Sequence, residues 1–292
     1  MKYNLSPILI IGMHRSGTSM ITRKLESLGL FLGNEKDEND EAFFFRNINE
    51  WLLNQVNCHW NNPDRFKYVD KLFKNQMTPI LKWYLSSEKN KTYFKKNSNL
   101  NFNEIDFLWG WKDPRNTFTI ELWKDIFPQM KVIHIYRNPI DVAQSLKCRE
   151  DKIRKSKKIK LRVIDKLKLK FKDNLFYNKN LYNSTIEFKN INVGINLWKT
   201  YTEKAFSLSK TFEKSILHIK YEDVLDNPQK HISELINFLN LDVSHDNFQK
   251  ACEDFNKSRK FAFLGDKFLV DKYEKVKNDK FIKELGYSNI NE

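Results

Sequence analysis

Residues 7–28 read PILIIGMHRSGTSMITRKLESL, and Gly29 follows. The first six, PILIIG, are a β-branched run closed by glycine, which predicts a buried parallel strand. Within 16–28 the apolar Ile21, Leu25 and Leu28 are spaced by four and three, which predicts a helix stopping at Gly29. Between strand and helix, Gly12 and Gly17 stand five apart and let the backbone turn its N–H groups toward an anion. The positive end of the helix adds to that pull. Strand, glycine loop and helix open an α/β nucleotide-binding domain.

The rest of the chain continues the alternation. Residues 43–57 predict a helix with Ile48, Leu52 and Val56 on one face. Residues 130–136 predict a second strand, Asp141 to Lys147 begin a second helix, and residues 215–220 predict a third strand. Residues 228–239 predict a helix entered through Pro228, with Ile232, Leu235, Ile236 and Leu239 inward. The expected fold is therefore α/β, a P-loop NTPase-like three-layer sandwich around a mainly parallel sheet. Residues 1–292 read as a single domain. The basic segment 151–190 interrupts the alternation with an ambiguous period, and is expected to be an inserted helical arm or lid.

Composition narrows the function. The three cysteines, Cys58, Cys148 and Cys252, lie far apart, which argues against a zinc ribbon, a zinc finger or a disulfide scaffold. No stretch approaches the roughly 18 apolar residues of a membrane-spanning helix. The apolar run Ile8 to Ile11 is too short for a signal-peptide core. The expectation is a cytoplasmic, reduced protein. The net charge is +14, but residues 151–180 hold twelve Lys/Arg and three Asp, so +9 lies in about a tenth of the chain. That run reads as solvated surface, or as a contact for an anionic glycan or a membrane face. No helix-turn-helix, zinc or RNP signature accompanies it, so no specific nucleic acid is expected.

The glycine loop differs from the nucleoside-triphosphate pattern GxxxxGK[ST]: Thr18 occupies the lysine slot, Ser19 follows, and the cation is Arg15 inside the loop. The second strand ends in the basic Tyr136-Arg137, where a phosphoryl-transfer enzyme usually keeps an acidic magnesium ligand. GMHRSGTSMITRKLESLGL resembles the 5′-phosphosulfate loop of sulfotransferases that use 3′-phosphoadenosine-5′-phosphosulfate (PAPS) and release the bisphosphate PAP. The resemblance implies that Arg15, Ser16, Gly17, Thr18 and Ser19 hold the phosphosulfate, without a metal. Residues 131–146, KVIHIYRNPIDVAQSL, resemble the family's 3′-phosphate site, a strand followed by RxPxDxxxS, which implies that role for Arg137 and Ser145. A guanidinium fork and a hydroxyl two helical turns on can share one dianion.

Three further blocks carry weaker likenesses. Residues 109–115, WGWKDPR, resemble the KDP segment of the tyrosylprotein and bacterial members, which implies that Lys112 stabilises charge on the departing bridge oxygen. Trp109 and Trp111 read as core. Residues 221–228, YEDVLDNP, are similar to a stretch common in the family and read as structural. Ser258-Arg259-Lys260 with Gly265-Asp266 resembles a second 3′-phosphate segment and nominates Arg259, although Phe261 stands where that segment has glycine.

The acceptor hydroxyl must lose a proton as it attacks sulfur. The tyrosylprotein pattern implies Glu35 as base, with Glu41 and His59 as further candidates. The expected activity is sulfonate transfer from PAPS to a hydroxyl, in a carbohydrate or glycan. The alternatives are a P-loop nucleotide kinase and a nucleic-acid-binding protein using 151–180.

Overall fold

The computed structural model of the chain describes residues 5–94, 100–156 and 185–290. Four parallel strands form one sheet of order β2-β1-β3-β4: β1 (Ile8–Gly12), β2 (Gly110–Lys112), β3 (Lys131–Tyr136) and β4 (Ile216–Lys220). Ile8 lies opposite Gly110 on one side and Lys131 on the other, and Val132 lies opposite Ile216.

The period-two alternation of β1 builds the layers. Leu9 and Ile11 face a core with Phe45 and Ile48 of α2 (Phe43–Asn54), Trp123 of α4 (Asn116–Ile126) and Trp198 of α6 (Ile191–Ser207). Ile8 and Ile10 face the opposite core with Ile21 and Leu25 of α1 (Thr18–Ser27) and with Ile232 and Leu235 of α8 (Pro228–Leu239). Helices thus cover both sides of a parallel sheet, as expected. Burying each such aliphatic side chain stabilises by about 1.5–3 kcal/mol. Longer helices elsewhere among the described residues include α3 (Lys71–Ser86), α5 (Pro139–Ser156), α7 (Tyr221–Asp226), α9 (His245–Ala251) and α10 (Lys267–Val276). Among the described residues, no helix is long and apolar enough to cross a membrane.

Local chemistry fixes the ends of these elements. α8 begins at Pro228, where a missing N–H costs nothing, and the Asn227 side chain accepts from Lys230 N at 3.1 Å. α5 begins two residues before the expected Asp141, because Asn138 Oδ1 accepts from Ile140 N at 2.9 Å. It runs on to Ser156, so residues 151–156 of the predicted arm continue α5. Residues 157–184 of that arm lie outside the described residues. Trp109 and Trp111 are core, as read, and Trp111 stacks on Phe45 at 3.7 Å with rings 3° apart. Strand β2 was not foreseen: its three residues are too few to show a period.

His134 and His218 are register partners on β3 and β4, with Nδ1 atoms 2.7 Å apart, and His218 Nε2 meets the Ser209 hydroxyl at 2.8 Å. Burial holds both imidazoles neutral, His134 well below its ordinary value and His218 down to about 4. A histidine in the unfolded chain titrates near pH 6.5. As pH falls from there toward about 4, the unfolded chain takes up protons that the folded chain refuses, so stability is lost with acid. We expect stability in urea to fall between pH 7 and 4.5, with His218 contributing on the order of 2–3 kcal/mol. His218→Gln should make that fall shallower; an unchanged slope would remove the pair from the acid response.

Candidate active site

Because all four strands run parallel, their carboxyl ends share one edge of the sheet. The chain places β2 on one side of β1 and β3 on the other, so the loop after β1 lies at the switch in strand order, where α/β sheets bind ligands. Gly12 and Gly17 shape that loop. A Cβ on Gly12 (φ 141°) would lie 2.2 Å from the Ile135 carbonyl oxygen, and one on Gly17 (φ 100°) would lie 2.3 Å from the Tyr221 ring. Ser16 Oγ donates to the Ile135 carbonyl at 3.0 Å and pins the loop to β3. Arg15 is itself left-handed, at φ 73°. Gly17 has no side chain to cap α1, so the first helical N–H groups are left for a ligand.

The two motifs read about 120 residues apart converge here. Arg15 Nε donates to Ser145 Oγ at 2.8 Å. Both residues line a cavity of about 360 Å³ with Gly17, Thr18, Ser19, Lys112, Arg137 and Arg259. Ser16 is buried beneath the loop and Ser19 Oγ donates to the Asn39 carbonyl at 2.6 Å. A wider cavity of about 760 Å³ shares Arg15, Arg137, Ser145 and Arg259.

Arg137 lies over the Tyr221 ring at 4.6 Å and donates from Nη2 to the Arg259 carbonyl. Nη2 also sits 3.2 Å from Asp141 Oδ2, an ion pair without hydrogen-bond alignment, and Nε is buried with no partner. Asp141 Oδ1 accepts from Phe263 N at 3.0 Å, which ties the 259–263 segment to α5. Phe261, in the position nominated for glycine, adopts the left-handed conformation glycine favours (φ 46°, ψ 38°). Glu222 accepts from Asn138 N and from the Tyr287 hydroxyl, both at 2.8 Å. The 221–228 block is therefore a brace for the turn that carries Arg137.

Lys112 ends β2 fully buried, 3.2 Å from Glu41 Oε1, and Arg115 Nη1 donates to Glu41 Oε2 at 2.9 Å and to Asp113 Oδ1 at 3.0 Å. Asp113 accepts from Asn49 Nδ2 at 2.8 Å, and Asn49 Oδ1 accepts from Thr119 and Trp123, each at 2.8 Å. Of the three base candidates, Glu41 lines the cavity. Glu35 and His59 do not: Glu35 is half-buried with its carbonyl taken by Phe43 N, and His59 is exposed, bridged to Asn62.

Electrostatics follow from the crowding. Burial lowers the Arg15 pKa, and Arg149, Arg259 and Arg137 lower it further. Burial would raise Glu41, but Lys112 and Arg115 outweigh it and keep the carboxylate below its usual range. Burial, then Arg115, Arg149, Lys112 and Arg15, hold His14 well below its ordinary value, so its imidazole is neutral. Burial pushes Asp113 up to about 6 against the pull of Arg115. Sequence reasoning missed His14, Arg115 and Arg149 as members of this cluster. Arg149 was findable, one helical turn beyond Ser145.

A model of the Sulfotransferase family matches residues 7–173. Among curated proteins, none is significantly similar to the chain. Among solved structures, the chain is similar to a sulfotransferase domain from the curacin biosynthetic pathway (16% identity, 94% of this chain and 92% of that one, TM-score 0.46). It is also similar to sulfotransferase STF1 from Mycobacterium tuberculosis H37Rv (14% identity, 86% and 71%, TM-score 0.48). A third is a sulfotransferase domain from the Synechococcus PCC 7002 olefin synthase (17% identity, 94% and 89%, TM-score 0.46).

The contact between Gly17 and Tyr221 is directly testable. We expect Gly17→Ala to cost on the order of 3 kcal/mol, from overpacking against the ring and from the positive φ. Adding Tyr221→Ala should recover part of that loss, because the ring is gone while the backbone strain stays. Urea midpoints report both, and a Gly17→Ala chain as stable as the parent would mean the loop is not packed on Tyr221.

Proposed function

Because the chain belongs to the sulfotransferase family, we propose that it transfers a sulfonate from PAPS to an acceptor hydroxyl in a carbohydrate or glycan. One observation carries the donor assignment: Arg15 of the glycine loop bonds Ser145 of α5 at 2.8 Å, in a cavity that Arg137 and Arg259 also line. The fit to a polyanion is physical. Arg137 Nε is buried without a partner, and Arg15 is destabilised by burial and then by three neighbouring guanidinium groups, which Glu38 opposes more weakly.

When bound, the donor supplies a sulfonate and a leaving oxygen on which negative charge grows. Arg15 and the N–H groups at the start of α1 hold the phosphosulfate end. Arg137, Ser145 and Arg259 hold the 3′-phosphate. Lys112, kept in place by Glu41, steadies the leaving oxygen. Its fixed position in a closed site makes it count most in the transition state. Glu41, ionised at neutral pH and part of the cavity wall, takes the acceptor proton in preference to Glu35 or His59. Apart from Pro114, Tyr221 and Gly17, every residue of the smaller cavity is polar or charged, which supports a hydroxyl-rich acceptor over an apolar one.

Calorimetry should show PAP binding in EDTA, with ATP and Mg²⁺ at least about tenfold weaker. Stronger binding of ATP with Mg²⁺ would favour the kinase alternative. Arg137→Ala should weaken PAP roughly 10- to 100-fold, the loss of a buried charge-assisted fork. Lys112→Ala should instead lower turnover about 100-fold and leave PAP affinity within about threefold. The opposite pattern would exchange the two roles.

A further inference from the structure

One face of α3 has no partner in the fold. Phe73, Met77, Leu81 and Leu85 pack inward on the main core, and Asp70 caps the helix by accepting from Phe73 N at 2.9 Å. On the opposite side, Leu72, Gln76, Pro79 and Trp83 are spaced by four, three and four, which sets them in one line, and all four are exposed. Ile80 borders that line, and Tyr68 stands four residues before Leu72. The three most exposed large apolar side chains among the described residues all lie in this stretch: Tyr68 at 76%, Leu72 at 64% and Trp83 at 64%. Single exposed apolar residues are ordinary, but a contiguous stripe of them marks an interaction surface.

The charge around the stripe says what covers it. Residues 64–83 hold Arg65, Lys67, Lys71, Lys74 and Lys82 against Asp64 and Asp70. Lys74 pairs with Glu121, whereas Arg65, Lys67, Lys71 and Lys82 make no ion pair among the described residues. Lys71 and Lys82, eleven residues apart, form a second line along one flank of the stripe. A second copy of the chain would set these lysines against their own counterparts, and lysine is depleted at protein–protein interfaces. An anionic membrane takes both halves of the pattern. Leu72 and Ile80 meet the upper acyl chains, the rings of Trp83 and Tyr68 suit the headgroup level, and the lysine stems carry their ammonium groups to lipid phosphates. With three lysines in sixteen residues, α3 can lie on a bilayer but not cross it.

We propose that α3 docks the protein on an anionic membrane surface, with the Leu72–Trp83 stripe seated between headgroups and acyl chains and with Lys71 and Lys82 on lipid phosphates. The docking face is separate from the cavity at the strand ends, and depends on neither the donor nor the acceptor assigned to that cavity.

The test mixes the full chain with vesicles of phosphatidylcholine alone, or of phosphatidylcholine and phosphatidylglycerol in equal parts, and sediments them. Binding to the anionic vesicles is expected to be at least about tenfold tighter than to the neutral ones, and to weaken as salt rises. The basic run 151–180 can supply such attraction by charge alone, so the deciding readouts follow the stripe. The Leu72→Ser, Trp83→Ser double variant changes no charge. It should bind anionic vesicles about tenfold or more weakly, with the urea midpoint of the parent. Brominated phosphatidylcholine in the same vesicles should quench the parent's tryptophan fluorescence, and Trp83→Phe should remove most of that quenching while the chain stays bound. Equal vesicle binding by parent and double variant, or quenching that survives Trp83→Phe, would overturn the proposal. So would a parent that binds the two kinds of vesicle alike. A parent that dimerises in the ultracentrifuge, and that the double variant makes monomeric, would give the stripe to a second copy and overturn the membrane assignment.

Discussion

Like charges crowd the carboxyl ends of β1, β2 and β3, and holding them there is the constraint on which the site depends. Arg15, Lys112, Arg137, Arg149 and Arg259 share one cavity wall with a single carboxylate, Glu41. Left alone, such groups would swing into water, because a buried, unpaired cation costs several kcal/mol. Each of the inner ones is therefore restrained. Arg15 is tied to Ser145, Lys112 to Glu41, and Arg137 to Tyr221, to Asp141 and to the Arg259 carbonyl. The restraints are themselves anchored. Glu41 leans on Arg115, Arg115 on Asp113, Asp113 on Asn49, and Asn49 on Thr119 and Trp123 in the core. On the other side, Asn138 is held by Glu222, and Glu222 by Tyr287. The cavity's preorganisation is thus inherited from two buried polar chains that end in the packed layers.

Parallel strand order makes this convergence possible. With β1 between β2 and β3, the loop after Gly12 has Lys112 on one flank and Arg137 on the other. A P-loop kinase draws its phosphate cation from the lysine slot of the loop itself. That slot is Thr18 here, and the flanking ammonium comes from the end of β2. At the end of β2, Glu41 fixes the Lys112 ammonium and is itself held by Arg115.

Much of this was legible in the sequence, for reasons that can be stated. β1, β3 and β4 are apolar runs long enough to show themselves, and α1 and α8 carry apolar residues at three- and four-residue spacing with a glycine or proline at one end. The loop motif and the Arg137–Ser145 spacing are local, so their convergence on one cavity was readable in advance. What was not legible depends on chain path. That Glu41 lines the cavity and Glu35 does not is set in the 34–42 turn, where Asp37 Oδ1 accepts from Asn39 N and Glu41 N and Asp40 adopts a positive φ. The packing of the Trp60 ring against both Arg149 and His14 joins residues from three distant stretches. Phe261 hid its segment because its side chain is wrong for the motif, while its backbone keeps the left-handed turn.

The same crowding sets the proton affinity of the groups in the cavity wall. Lys112 and Arg115 hold the Glu41 carboxylate below its usual range against burial, and burial, aided by the surrounding cations, keeps His14 neutral. An anion seated against Arg15 and Arg137 offsets that positive field, and the proton affinities of Glu41 and His14 must rise together. The proton affinities of Glu41 and His14 are therefore coupled through charge to any anion held by these cations.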